Sequence, residues 1–189
     1  MNPQVGIDKR AYISFTAAIQ PGPAQMLLNH IVALIAQGFG TINILMSTFG
    51  GDVMNGFMLY NTLRAFPVNL ITHNVSVVNS IGNVVFLAGK ERYATETSTF
   101  MFHGVGFDIQ GQLRLEEKLL AERLDSIRSD QKRIAHVLAA HTKLKPNEIA
   151  KLFLQAVTKD AKWAVDANLV NAIQEVSVPP GAPVITITG

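Results

Sequence analysis

Three short stretches of the chain hold residue types that could do chemistry. Ser47-Thr48-Phe49-Gly50-Gly51-Asp52 closes an extended, apolar run with two glycines. Glycines at such a point let main-chain amides turn outward and approach a ligand, making either a phosphate cradle or an oxyanion hole. The lysine and spacing of a P-loop are missing, which weakens the nucleotide version. Val78-Asn79-Ser80-Ile81-Gly82-Asn83 places a serine after a strand and at the opening of a short apolar helix. A hydroxyl there is either a nucleophile beside free N–H groups or an ordinary N-cap. Phe102-His103-Gly104-Val105-Gly106 ends an apolar strand in a histidine followed by glycines. That suits a general base beside a backbone edge able to pair with peptide. His30, His136 and His141 fall on helices and His73 inside a strand, none with glycines around it. Taken singly, each stretch has a plain structural explanation.

The elements that must position these residues follow from patterning. The chain has 189 residues, 48% hydrophobic and 16% charged, enough for a sizeable core and a single domain spanning 1–189. A formal charge of +2 makes no electrostatic case for nucleic acid. Cysteine is absent, which excludes disulfides, thiolate catalysis and cysteine metal sites. No His-Glu-x-x-His or similar spacing implies a metal, and no cofactor is expected. Mean hydropathy is +0.23, but the apolar stretches Met26–Met46 and Ser76–Gly89 are broken by polar residues, so no membrane span is expected. The first ten residues lack the apolar core of a secretory signal, making the cytoplasm the expected location. High apolar content with few charges points to surface buried against other copies of the chain.

Strands are expected at Tyr12–Ala17, Thr41–Ser47, Val68–Val75 and Ser98–Phe102, and helices at Ala24–Gln37, from Asp52 to before Pro67, and at Ser80–Ala88. Their alternation is the pattern of stacked β-α units around a largely parallel sheet. Leu113–His141 is a long Glu/Lys/Arg/Leu-rich stretch without Pro or Gly, in which Leu120, Leu124, Ile127, Gln131, Ile134 and Leu138 form a narrow apolar seam. It reads either as a helix lying on its own domain or as one that protrudes toward another subunit. Further helices are expected at Asn147–Gln155 and Ala161–Ala167, with a strand at Val170–Val176. The body then runs from Tyr12 to Val176, and Ser177–Gly189, rich in proline, is expected to be a tail.

Together and in this order the stretches resemble the proteolytic subunit of the Clp protease family. The resemblance rests on Ser47-Thr48-Phe49-Gly50-Gly51 with the Tyr60-Asn61-Thr62 helix, on Asn79-Ser80-Ile81-Gly82 with Phe86-Leu87-Ala88-Gly89, and on Phe100-Met101-Phe102-His103. It continues through Ala139-Ala140-His141-Thr142 to Ala164-Val165-Asp166-Ala167-Asn168-Leu169-Val170. The resemblance implies an α/β, ClpP/crotonase-like fold and a serine peptidase acting on short or unfolded peptides inside an oligomeric chamber. By the same carry-over, Ser80 is the nucleophile, His103 the general base, and the backbone amides of Gly51 and Ile81 the oxyanion hole. Gly104–Phe107 corresponds to the substrate-pairing edge, and Leu113–His141 to the handle through which two rings stack.

The chain departs from that pattern in two places. The family's triad aspartate falls on Ala156, and Asp160, the nearby substitute, immediately precedes Ala161-Lys162-Trp163-Ala164 and reads better as an N-cap. A Ser–His dyad, a carboxylate borrowed from elsewhere, or slow catalysis are the options. The segment before Tyr12 is shorter than the family's, so docking to an ATPase unfoldase is not expected and ring size does not transfer. Two other readings compete: a catalytically weak or inactive ring subunit that partners a paralogue, and a crotonase-type acyl-CoA enzyme, which would need a carboxylate base in the pocket.

Overall fold

The computed structural model describes residues 9–106 and 116–189. The stretch before Lys9, the Phe107 end of the expected peptide-pairing edge and the Leu113 start of the long helix lie outside the described residues.

Strand β1 (Arg10–Thr16) leads into α1 (Pro21–Ala36), whose opening prolines supply the preset φ of a first helical turn and whose buried Ala24, Leu27, Ile31 and Leu34 form a single stripe. The helix stops where Gly38 takes a φ of 81°. Strand β2 (Thr41–Thr48) is buried along most of its length, as expected of a central strand covered on both faces. Asp52 caps α2 (Val53–Ala65), accepting from the Asn55 N–H at 2.7 Å. Strand β3 (Asn69–Asn79) follows, then α3 (Gly82–Phe86), β4 (Glu91–Ala94) and β5 (Thr99–Phe102). The second half holds α4 (Glu117–His141), α5 (Pro146–Gln155), β6 (Val157–Asp160), α6 (Ala161–Asp166), β7 (Ala172–Ile173) and β8 (Val184–Thr188).

The sheet runs β6-β5-β3-β2-β1-β8, with β4 beside β3 and β7 beside β4. Among the described residues every strand pairing is parallel except that of β5 with β6. Strand β3 serves two partners in turn: Ile71 to Asn74 pair with β4, and Val77 to Asn79 with β5. Asn74, fully buried at the handover, donates from Nδ2 to the Thr99 carbonyl at 2.8 Å and accepts the Ser76 N–H at Oδ1. Its side chain thus satisfies main-chain groups that neither neighbouring strand reaches.

Several elements differ from the sequence expectation. Strand β3 extends four residues beyond Val75 and shortens the following helix, because β5 continues the ladder after β4 has left it. Strand β4 forms in a stretch too polar to be expected as a strand. Its Arg92 is buried yet donates to the carbonyls of Leu169, Gly89 and Asn168, so the charge sits among acceptors. The Val170–Val176 strand is reduced to Ala172–Ile173. The expected tail contains β8, which continues the sheet beside β1 through five paired residues. Its alternation of Ile185 and Ile187 is masked in the sequence by the prolines before it.

Helix α4 is 25 residues long, and only Ile134, Val137 and Leu138 are buried. Leu120 and Leu124 are 47% and 45% exposed, so the apolar seam divides: its C-terminal end packs on the body and its N-terminal end projects away from it. Among the described residues no helix is long and apolar enough to cross a membrane.

Burial disfavours the protonated form of two histidines. His73 is buried in β3, its Nε2 3.3 Å from Asn43 Oδ1, and desolvation pushes its pKa below the ordinary 6.5 despite the opposing pull of Glu91. His141, against Tyr60 and Arg64, is lowered by burial and by the charges of Arg64 and Arg92. Neutral rings favoured in the folded state leave stability intact above 6.5. Stability erodes as pH falls below that value, because the unfolded chain takes up protons that the folded rings resist. Thermal denaturation is therefore expected to show Tm falling from about pH 7.5 to about pH 5.5, with a smaller fall in His73→Phe.

Candidate active site

Beyond Thr48 the chain leaves β2 through two glycines in backbone conformations that a side chain would not tolerate. Gly50 has φ 89° and Gly51 φ 147°. A Cβ on Gly50 would stand 2.8 Å from both the Asn79 carbonyl oxygen and Ser80 Cβ, and one on Gly51 would collide with the Ile19 carbonyl. The Gly50 carbonyl accepts from Ile19 N–H and the Asp52 N–H donates to the Ile19 carbonyl, both at 2.8 Å. Main-chain groups alternate sides along extended backbone. With those two turned toward Ile19, the Gly51 N–H is turned the opposite way, toward the β3 side of the sheet where Ser80 lies.

Ser80 sits at the elbow where β3 ends. The β2–β3 ladder keeps register to Met46↔Asn74 and resumes at Thr48↔Val78, so β3 carries two extra residues just before the elbow. Ser80 has φ 56°, a left-handed conformation that for a non-glycine costs about 1–3 kcal/mol and persists only when its surroundings over-determine it. They do so from both sides: the Ser80 N–H donates to the Met101 carbonyl at 2.8 Å, and the Ser80 carbonyl accepts from Asn83 N–H and Nδ2, each at 3.1 Å. The helix begins two residues later than expected, and no side-chain hydroxyl caps it. Ile81 lies between Ser80 and α3 with ordinary helical dihedrals, packed against Gly56 of α2, where any Cβ would strike it.

His103 follows β5. Its Nδ1 lies 2.7 Å from the Gly104 carbonyl oxygen. A carbonyl can only accept, so Nδ1 carries the proton and, in the neutral ring, Nε2 keeps the lone pair. The next residue is anchored as well: the Gly104 N–H donates to the Phe153 carbonyl at 3.1 Å, and a Cβ on Gly104 would meet Gln131 of α4. Ser80, His103 and Gly51 line one cleft of about 80 Å³, walled by Val53, Asn83, Phe102, Val105, Gly106, Ile134, Leu138 and Phe153. No hydrogen bond joins the Ser80 hydroxyl to the imidazole, and such contacts commonly tighten only around substrate.

Among the described residues no carboxylate stands behind the histidine. Helix α5 ends with Ala156 in a left-handed conformation, φ 51° and ψ 63°. Strand β6 then runs antiparallel to β5, its last pair being Val157 with Phe102, so Ala156 and His103 are the residues that flank the end of that ladder. Asp160 pairs with Thr99, three residues back along the strand from Phe102, and its Oδ1 accepts the Trp163 N–H at 2.7 Å as the cap of α6. The other histidines stay apart: His73 faces Asn43, His141 faces Tyr60, and His30 and His136 lie on α1 and α4 away from the cleft lining. Among the described residues no group of three or more His, Cys, Asp or Glu could hold a metal ion. Two groups that touch Ser80 or His103 are absent from the sequence expectation. The Gly104 carbonyl is main chain and has no sequence signal; Asn83 had one, as the only amide within the apolar run from Ile81 to Ala88.

A largely parallel sheet thus brings a glycine turn, a serine elbow and a histidine to one cleft. Residues 4–177 match the Clp protease family, and the chain belongs to that family. It is 29% identical over 129 residues to the ATP-dependent Clp protease proteolytic subunit of Paracoccus denitrificans, a match covering 64% of this chain and 65% of that relative's length. The fold is that of a ClpP1 point mutant from Listeria monocytogenes, with a TM-score of 0.77 at 18% identity over 87% of this chain and 91% of the other.

Because Asp160 caps α6 and stands well down the strand from His103, Asp160→Ala is expected to lower stability by about 1 kcal/mol. The rate at which a fluorophosphonate labels the protein should stay unchanged, as measured by denaturation alongside labelling kinetics.

Proposed function

We propose that the protein is a serine-type endopeptidase working through a Ser80–His103 dyad on short or unfolded peptides. The observation that carries this reading is the Nδ1–H bond to the Gly104 carbonyl, which leaves the Nε2 lone pair as base in the cleft that Ser80 lines. Ser80 Oγ attacks the scissile carbonyl as Nε2 takes its proton, and the Gly51 and Ile81 amides receive the developing oxyanion. His103 then protonates the leaving amine, and water repeats the sequence to release the acyl group.

The missing aspartate changes this scheme by a definable amount. In serine proteases an uncharged residue in place of the aspartate lowers kcat by about 10⁴, chiefly through the wrong tautomer. Here a carbonyl already enforces the right tautomer, so only the stabilisation of the imidazolium charge is reduced. The dyad is thus a weaker base system than a full triad without being a dead one. The apolar cleft walls suit an apolar side chain next to the scissile bond.

Assembly follows from α4. Exposed Leu120 and Leu124 on a helix that leaves the body suit a contact with another copy of the chain, which would enclose the sites. Paired Leu120→Glu and Leu124→Glu substitutions are expected to reduce particle mass in mass photometry without changing circular dichroism. For the chemistry, wild-type protein should be labelled by a fluorophosphonate at Ser80 and should hydrolyse peptides. Ser80→Ala and His103→Ala should abolish peptide hydrolysis with Tm preserved, and Ser80→Ala should also abolish labelling. Undiminished turnover in either variant would overturn the assignment.

A further inference from the structure

Asn83 stands one turn beyond Ser80, only 1% exposed, and two side-chain hydrogen bonds tie it to the cleft. Its Nδ2 donates to the Ser80 carbonyl at 3.1 Å and to the Met101 carbonyl at 2.9 Å. Both neighbours are carbonyl oxygens, so the amide must present its NH2 to them, one proton to each. One of these carbonyls belongs to the serine elbow. The other lies on β5, two residues before His103. A single side chain therefore bridges the strand end that carries the hydroxyl and the strand that carries the imidazole.

The bridge is unnecessary for satisfying those carbonyls. Met101 O already accepts the Ser80 N–H at 2.8 Å, and Ser80 O already accepts the Asn83 N–H at 3.1 Å. The amide also brings a liability, since Asn83 Oδ1 is buried without a partner. Its neighbours Ile81, Val84, Val85 and Phe86 are all fully or almost fully buried apolar residues. At such a place an apolar side chain would bury no unpaired oxygen, and unpaired buried acceptors weaken a fold. Stability alone does not account for an asparagine here.

We infer that Asn83 is a positioning residue, a clip that fixes the separation of Ser80 and His103 and holds the left-handed serine elbow in its reactive setting. The inference rests on the dyad proposed above. Asn83 lines the cleft, but the inference rests on its two donor bonds: they lock the elbow against β5, so that the hydroxyl and Nε2 keep a common approach to the scissile carbonyl. Misplacement of reacting groups by about 1 Å costs on the order of 100-fold in rate.

The test uses the full chain with Asn83→Ala and Asn83→Leu, the second filling the amide's volume without a donor. Both variants should fold, with Tm close to that of the wild type, because neither strands a carbonyl and both remove the orphaned oxygen. For peptide hydrolysis kcat should fall about ten- to a hundredfold with KM nearly constant, and fluorophosphonate labelling of Ser80 should slow by a similar factor. Unchanged kcat and labelling in either folded variant would overturn the inference. So would a change confined to KM, which would make Asn83 a substrate contact, or failure of both variants to fold, which would make it structural. A wild type that neither labels nor hydrolyses would instead overturn the dyad itself, so the two failures are distinguishable.

Discussion

Ser80 keeps a positive φ because three separate constraints converge on it, and the rest of the site depends on that convergence. The β5 ladder takes its N–H, α3 takes its carbonyl, and Gly50 leaves no room on its flank for any bulk beyond hydrogen. A left-handed serine relaxes readily to extended or helical backbone unless its neighbours forbid it. Relaxing toward a straight continuation of β3 would carry the hydroxyl away from the cleft; entering α3 one residue early would turn it into an ordinary cap.

The same constraint explains why the sheet is arranged as it is. Strand β3 must hand its edge from β4 to β5 before the elbow, since β5 supplies both the Met101 carbonyl that anchors Ser80 and the histidine that faces the cleft. Asn74 makes the handover possible without stranded polar groups. On the other side, the loop after His103 is held by α5 through Phe153 and closely approached by Gln131 of α4. The base of the projecting helix is thus part of the cleft wall, through Ile134 and Leu138. Whatever seats the far end of α4 is mechanically continuous with the histidine loop.

Replacement of a buried carboxylate by a main-chain carbonyl alters the electrostatics more than the geometry. A carboxylate behind imidazole performs two tasks, selecting the tautomer and stabilising the charged ring. The Gly104 carbonyl performs the first fully and the second only through its dipole. In the proposed dyad the carbonyl therefore takes over tautomer selection, while Asp160 is occupied elsewhere as a helix cap.

Much of this was legible in the linear chain. The β2 run ending in Gly50-Gly51, the Asp52 and Asp160 caps, the α1 stripe and the three chemical stretches rely on local backbone preference and periodicity, which neighbours along the chain determine. Strands β4 and β8 were hidden for a physical reason. Arg92 is tolerable inside a sheet only because the distant carbonyls of Asn168 and Leu169 join that of nearby Gly89 around it, and Val184–Thr188 becomes a strand only because β1 offers a free edge. The sequence by itself determined which residues could be nucleophile, base and oxyanion donors, since those roles are properties of side-chain type and of glycine. Only the tertiary structure decided which proton His103 holds, that Asp160 stands too far along β6 to help it, and that Asn83 bridges two strands. Each of these depends on a main-chain group or a register brought in from elsewhere in the fold, where no local pattern can record it.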